Sequence, residues 1–376
     1  MPGATRVIVG LSGGVDSAVA ALLLKRQGHD VAGLFMKNWE DDDRDGHCAA
    51  EEDLREVRRV CDVLQIPLST VNFATEYWDN VFSAFLAELR AGRTPNPDVL
   101  CNREIKFKAF LEHATSLGAR YIATGHYAGV AESDGLYRLI KARDRDKDQT
   151  YFLHALGQHE LSCTLFPLGN LTKTEVRAIA RQAGLPNHAR KDSTGICFIG
   201  ERNFRQFVAR YLAAQPGSMM TVDGEIKGRH DGLMFYTIGQ RHGLGVGGSG
   251  EAWYVVGKDI ERNILYIGQG ISHPALYAQG LKTGPMHWIS GRPPALPLAC
   301  RAKTRYRQAD QDCVIHDAPE GGLRVDFAVA QRAVTPGQSV VFYAGEVCLG
   351  GAVIAAASPQ AEFRHEIRLP CQVGSY

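Results

Sequence analysis

The segment Gly10-Leu11-Ser12-Gly13-Gly14-Val15-Asp16-Ser17 holds residue types that suit phosphate binding. Two consecutive glycines let backbone N–H groups wrap an anion without Cβ clashes, and a helix opening there adds its partial positive end. Ser12 and Ser17 can donate hydroxyl hydrogen bonds, while Asp16 can hold a Mg2+ that bridges pyrophosphate oxygens. The lysine of a GxxxxGK[ST] loop is absent, so this is not the γ-phosphate machinery of that class. A helix-capping turn is the plainer alternative. Two serines and two glycines between an apolar strand and a helix favour a nucleotide loop.

Sulfur chemistry is the second theme. The nine cysteines are scattered, odd in number and without a CxxC pair, which argues against a disulfide framework or a zinc knuckle. Cys61 falls on the apolar stripe of a helix and reads as a core residue. Cys101 and Cys197, 96 positions apart, each lie in a polar segment punctuated by glycine or proline. Both segments read as loops, where exposed reactive thiols belong. Asp98 stands three residues before Cys101. Arg292, Arg301, Lys303, Arg305 and Arg307, with Tyr306 among them, form a stretch free of acids that suits a phosphate backbone and a stacked base. Gly243-Leu-Gly245-Val-Gly-Gly248 matches GxGxxG, but a β-like run follows where a helix is required, so it reads as a loop. The thirteen histidines show no metal-ligand spacing.

These groups need a scaffold. Strand-like runs at Arg6 to Leu11, Val31 to Met36, Leu68 to Phe73 and Tyr121 to Thr124 alternate with helical patterns at Asp16 to Gln27, Glu51 to Gln65, Glu76 to Ala91 and Ile105 to Leu117. Such alternation predicts an α/β, doubly wound parallel sheet with its ligands at the carboxyl ends of the strands. Thr172-Lys-Thr-Glu175 fits a capping box opening another helix, to about Ala183. After about Gly200, one helix (Asn203 to Ala214) gives way to short β-like runs at Leu233 to Ile238, Trp253 to Val256, Ile264 to Ile267, Val325 to Val329 and Ser339 to Phe342. The expected domains are residues 1–200 as the α/β unit carrying the glycine-rich loop, 201–276 as a small β-rich unit, and 277–376 as a β-barrel.

SGGVDS after the first strand resembles the PP-loop ATP pyrophosphatases, which split ATP into AMP and pyrophosphate while adenylating a substrate. The segments at residues 35–39, 94–102, 124–127, 147–151, 192–198 and 237–241 narrow the resemblance to the bacterial tRNA-specific 2-thiouridylases. That resemblance implies adenylation of the 2-oxygen of the wobble uridine, using ATP and Mg2+, then replacement of that oxygen by sulfur from a cysteine persulfide. It implies Cys197 as persulfide carrier, Cys101 as nucleophile, a disulfide between them after turnover, and Asp98 as general acid/base. Asn96, Pro97 and Asp98 would contact the flipped-out base. His126, Lys147, Asp148, Gln149, Arg305, Tyr306 and Gln338 would contact the tRNA, and Met36 and Gly125 would line the adenine site. A persulfide carrier or cysteine desulfurase would supply the sulfur.

With 42 basic and 41 acidic residues, net charge alone selects no polyanion partner. Glycine, at 40 of 376 residues, exceeds the usual ~7% and suggests backbone-lined loops. No apolar run reaches membrane-spanning length and no signal-peptide pattern opens the chain, so a cytoplasmic monomer without membrane contact is expected. The competing classes are a PP-loop adenylating ligase or amidotransferase acting on a small carboxylate, and a non-catalytic RNA-binding protein. The first leaves two loop cysteines and the β-rich region unexplained. The second leaves the nucleotide loop idle.

Overall fold

The computed structural model describes residues 4–39, 49–191 and 204–359. Cys197 and the segment around it lie outside the described residues. The chain opens with β1 (Arg6–Leu11), α1 (Val15–Arg26), β2 (Asp30–Lys37), α2 (Ala49–Leu64) and β3 (Leu68–Asn72). A long helical passage follows: α3 (Ala74–Tyr77), α4 (Ser83–Arg90), α5 (Pro97–Cys101) and α6 (Phe110–Ser116). Wider π-helical turns at Trp78–Phe82 and Asn102–Ala109 join α3 to α4 and α5 to α6. Then come β4 (Tyr121–Ala123), the hairpin β5 (Ala128–Ser133) and β6 (Leu136–Lys141), α7 (Thr150–Leu153), α8 (Gln158–Ser162), β7 (Thr164–Leu165) and α9 (Lys173–Gln182).

Five strands form a parallel sheet in the order β3-β2-β1-β4-β7. Central β1 is apolar throughout Val7, Ile8 and Val9 because a strand covered on both faces has no polar side to show. Ala18, Val19, Ala20 and Ala21 of α1 are likewise buried, and small side chains let this helix lie close between the sheet and α9. Cys61 is buried in the same core, and burial pushes its thiol up to about 11. A second core on the other side of the sheet is aromatic, with Tyr77, Phe82, Phe107 and Phe110 fully buried.

After α10 (Phe204–Val208), β8 (Gly217–Thr221), β9 (Ile226–His230), β10 (Trp253–Asp259) and β11 (Ile264–Gln269) make a four-stranded sheet in the order β10-β11-β8-β9. Leu233–Phe235, expected as part of a strand, is a single 3-10 turn whose Leu233 and Phe235 fill the core. Apolar content without alternation marked burial there and not a strand. Gly243 to Gly248 lies in the irregular stretch before β10, as a loop.

The last strands are β12 (Tyr277–Thr283), β13 (His287–Trp288), β14 (Leu298–Lys303), β15 (Gln311–Asp317), β16 (Leu323–Arg332), β17 (Ser339–Ala344) and β18 (Val347–Pro359). Six of them close an antiparallel barrel in the order β12-β16-β15-β14-β17-β18 and back to β12. The β5–β6 hairpin reaches from the first region onto the barrel, where Ile140 and Leu139 pair with Val347 and Cys348 of β18. The barrel is thereby tied to the sheet-bearing region by backbone hydrogen bonds as well as by packing.

Candidate functional site

The nucleotide loop leaves the carboxyl end of β1. Gly13 has φ +78, a conformation that disfavours side chains, and a Cβ there would meet Arg190 Nη1 at 2.8 Å. Gly14 caps α1 without a side-chain hydrogen bond, so the first amides of that helix keep their donors for an incoming oxygen. Ser12 N–H donates to Ser17 Oγ (3.2 Å), and that hydroxyl donates to the Gly14 carbonyl (3.1 Å). Asn187 Nδ2 (2.9 Å) and Arg190 Nη1 (3.3 Å) both donate to the Gly13 carbonyl, fixing the loop from behind. Gly125, just after β4, lies so close that a Cβ would sit 2.6 Å from the Ser17 nitrogen.

Asp16 is engaged. Lys173 Nζ lies 2.8 Å from each of its carboxylate oxygens, and the Tyr127 hydroxyl donates to Oδ1 at 2.9 Å. The pair is largely covered, with side chains 12% (lysine) and 31% (aspartate) exposed. The uncapped amides, the two serine hydroxyls and Lys173 fit a polyphosphate. For Mg2+ the fit is narrower: the described residues hold no cluster of three or more His, Cys, Asp or Glu, so Asp16 would be a lone ligand and is already paired with Lys173. Magnesium is bound in that sparse way when phosphates complete its shell. Met36, at the end of β2, is buried, and its Cε lies 3.4 Å from the position a Gly10 Cβ would take. Phe110 Cε1 approaches the same point at 3.2 Å, so Met36, Gly10 and Phe110 form one apolar wall.

Asp98 and Cys101 sit on α5, one turn apart on one face. Asn96 caps that helix, its Oδ1 accepting from the Asp98 N–H at 3.2 Å, and Pro97 occupies the first turn. The expectation that Cys101 stands in an exposed loop is therefore corrected. It ends a helix and is fully buried in the aromatic core. Asn-Pro, read as loop punctuation, is here a helix-start signal. Along the helical run, Cys101 stands nine residues before Phe110, the residue that walls Gly10.

The approach to α5 is gripped by the two β units. Thr94 N–H donates to the Pro336 carbonyl (3.0 Å), and Gln338 Nε2 donates to the carbonyls of Thr94 (2.8 Å) and Pro95 (3.3 Å). Gly337 has φ +93, and a Cβ there would lie 2.9 Å from both Thr94 N and Thr94 O. From the central sheet, Lys258 Nζ donates to the Gly92 carbonyl at 2.9 Å, and burial lowers that ammonium to about 8.

Several residues expected to touch tRNA make internal contacts. Asp148 is buried, accepting from the Ala142 N–H (2.9 Å) and the Thr150 hydroxyl (2.8 Å) with Lys303 at 3.8 Å. His126 is buried between Phe107 and Phe166, with Nδ1 2.8 Å from the Thr124 hydroxyl. Burial, with Lys106 nearby, holds it neutral and well below the usual imidazole range. Gln149 Oε1 accepts from the Tyr127 N–H (2.9 Å), bracing the tyrosine that contacts Asp16. Lys147 is half-buried. Within the basic stretch Arg301 pairs with Asp312 at the surface (3.1 Å), Lys303 lies between Asp148 and Asp310, and Arg292 and Arg307 are exposed. Arg305 Nη2 donates to the carbonyls of Ile238 and Ala333, each at 2.9 Å, stapling the central unit to the barrel. Both bonds use Nη2, in a residue that charge pattern alone marked as a phosphate contact. Tyr306 packs on Phe152 with ring centroids 4.5 Å apart, and the Phe152 carbonyl accepts from Asn102 Nδ2 (3.1 Å), next to Cys101.

Profiles of three domain families match in succession: the tRNA methyl transferase HUP domain over residues 5–201, the tRNA methyl transferase PRC-barrel domain over 205–269, and the Aminomethyltransferase beta-barrel domain over 278–354. A tRNA-specific 2-thiouridylase of Halalkalibacterium halodurans is 61% identical over 353 residues, covering 94% of this chain and 95% of its own length. Others from Geobacillus kaustophilus (60% over 353 residues, 94% and 95%) and Methylococcus capsulatus (60% over 354 residues, 93% and 95%) match similarly. The chain belongs to the tRNA-specific 2-thiouridylase family. Its parallel sheet, central β unit and closed barrel follow the order of the three profiles.

For this 2-thiouridylase family member, sequence reasoning missed Lys173, Tyr127, Arg190, Asn187 and Lys258 as parts of the site's frame. Lys173 carried a signal. It opens α9 immediately after the Thr172 cap, where a cation opposes the helix dipole, so an outside partner was needed to hold it there. Lys258 carried none, because its acceptor is a backbone carbonyl 166 positions away.

Proposed function

We propose that this chain catalyses ATP-dependent 2-thiolation of the wobble uridine of tRNA, as a tRNA-uridine 2-sulfurtransferase. The observation that carries the reading is the coexistence, in one member of this family, of the phosphate-suited loop at β1 and the Asp98–Cys101 face of α5, joined by a single helical run. The uridine 2-oxygen attacks the α-phosphorus of ATP, pyrophosphate leaves, and the oxygen becomes the leaving group AMP. Lys173, the α1 amides and the serine hydroxyls of Ser12 and Ser17 orient the phosphates. Mg2+, when bound on the pyrophosphate oxygens with Asp16, would neutralise the departing charge. Met36 and Gly125 border the adenine.

Asn96, Pro97 and Asp98 face the extruded base, with Asp98 moving the proton. Cys197 carries the persulfide. Its outer sulfur attacks C2, and the Cys101 thiolate attacks its inner sulfur, leaving a Cys101–Cys197 disulfide that an external thiol reduces. Because Cys101 is buried, this step needs the start of α5 to move when tRNA docks, and the grip of Gln338 on Thr94 and Pro95 is the handle through which the barrel would move it. Tyr306, Lys147 and Gln338 are kept as tRNA contacts. His126, Asp148, Gln149 and Arg305 act as positioning residues in this reading. Sulfur comes from a persulfide-bearing partner protein. Among the described residues no helix is long and apolar enough to cross a membrane, and a cytoplasmic monomer suits the proposed substrate.

The test separates the thiols. Cys197→Ser should adenylate uridine yet accept no persulfide, while Cys101→Ser should load Cys197 and fail to release product. Loading lost equally in both variants would refute the assigned roles. Pyrophosphate release driven by a small carboxylate without tRNA would instead favour the ligase reading.

A further inference from the structure

A second pair of cysteines lies away from the site, in the barrel. Cys300 on β14 and Cys313 on β15 are directly opposed in the antiparallel register. Their sulfurs are 3.7 Å apart and both are free thiols. Opposed residues of paired strands have Cα atoms about 4.5–5.5 Å apart, within the range of roughly 4.4–6.8 Å that a disulfide spans. Closure therefore needs side-chain rotation and no strand movement. Cys313 is buried in the barrel core, and Cys300 is half-buried beside it, packed against that core with Trp288, Leu296 and Leu298. Of the two residues, Cys300 is the more exposed.

We infer that Cys300 and Cys313 form a redox-active dithiol that closes to a disulfide by exchange with a small-molecule disulfide such as oxidised glutathione. The asymmetry of the pair sets the order of events. The hydrogen bond between the two thiols lowers the Cys300 thiol below its ordinary value, while that same bond and burial push Cys313 up. The Cys300 thiolate attacks one sulfur of the small disulfide and displaces one thiolate, giving a mixed disulfide. Cys313 then attacks the Cys300 sulfur and displaces the second thiolate. Two protein thiols are oxidised by two electrons, the small disulfide is reduced to two thiols, and the two protein protons end on them. Two thiols per chain would thus disappear without any turnover on tRNA, so a bulk thiol count cannot report on Cys101 and Cys197.

Arg301 and Arg307 lie between the two residues, so trypsin places them in separate peptides. The Cys101→Ser chain, incubated with oxidised glutathione at neutral pH without ATP or tRNA, is denatured, alkylated, digested and mapped by mass. The expected product is the Cys300 peptide joined to the Cys313 peptide, released by reductant. Adding Cys313→Ser should trap glutathione on Cys300, and adding Cys300→Ser should leave Cys313 as an alkylated free thiol. Both cysteines recovered as alkylated free thiols, or a wild-type barrel that stops at glutathione on Cys300, would overturn the inference.

Discussion

Replacing Arg305 with methionine keeps the aliphatic stem and removes the guanidinium that joins the Ile238 and Ala333 carbonyls. Both acceptors lie at a junction where Gly239 approaches Ala333 so closely that a Cβ would sit 2.7 Å from its Cβ, so water has little room to take the lost donor's place. The Ala333 carbonyl keeps the Thr335 hydroxyl as a donor (2.9 Å), so the Ile238 carbonyl bears the loss, at about 1–3 kcal/mol. In a melt this corresponds to a drop of roughly 2–10 °C in the transition reporting the barrel and central sheet. The companion assay is tRNA affinity at several salt concentrations. A true phosphate contact contributes a slope of about 0.7–0.9 in log K against log salt. The staple predicts a lower melting temperature with an unchanged slope. A slope shallower by that amount, with an unchanged melt, would refute the internal role and restore Arg305 as an RNA ligand.

Lys173→Met should raise the KM for ATP at least about tenfold, equivalent to ~1.4 kcal/mol, because Asp16 then presents an uncompensated carboxylate to the phosphates; ATP–pyrophosphate exchange measures it, and an unchanged KM would remove Lys173 from the site. Gly337→Ala should lower kcat for thiolation while leaving the KM for ATP unaltered, since its Cβ displaces Thr94 and with it the start of α5; a change confined to ATP would contradict this. His154 is buried against Ser339 and pushed down to about 3 by burial first and by His287 next. Its folded pKa lies below the unfolded value, so its contribution is intact above pH 6.5 and is lost as pH falls below that, by about 3 kcal/mol at pH 4. Urea melts of His154→Gln across that window should show a flatter pH dependence than the wild type.

The parallel sheet and its ligand edge were legible because periodicity and glycine placement are local: β1, the loop at residues 12–14 and the Thr172–Glu175 capping box all follow from neighbours in sequence. The contacts that turn the loop into a site are not local. Lys173 reaches Asp16 across 157 positions, and Gln338 reaches Thr94 across 244. Charge pattern could not show the partners of Arg301, Lys303 and Arg305, because Asp312, Asp148 and the Ile238 carbonyl come from other segments of the chain. Cys101 misled for a related reason. Polarity around it described the flanking turn, while the side chain itself points into the core.

The most direct test is a stoichiometric reaction of the purified protein with ATP, a tRNA bearing a wobble uridine, and a persulfide donor, followed by nucleoside mass analysis. The account predicts one 2-thiouridine per tRNA at the wobble position, matched by one AMP and one pyrophosphate. Pyrophosphate released with the uridine left unthiolated, or 2-thiouridine formed without ATP cleavage, would contradict it.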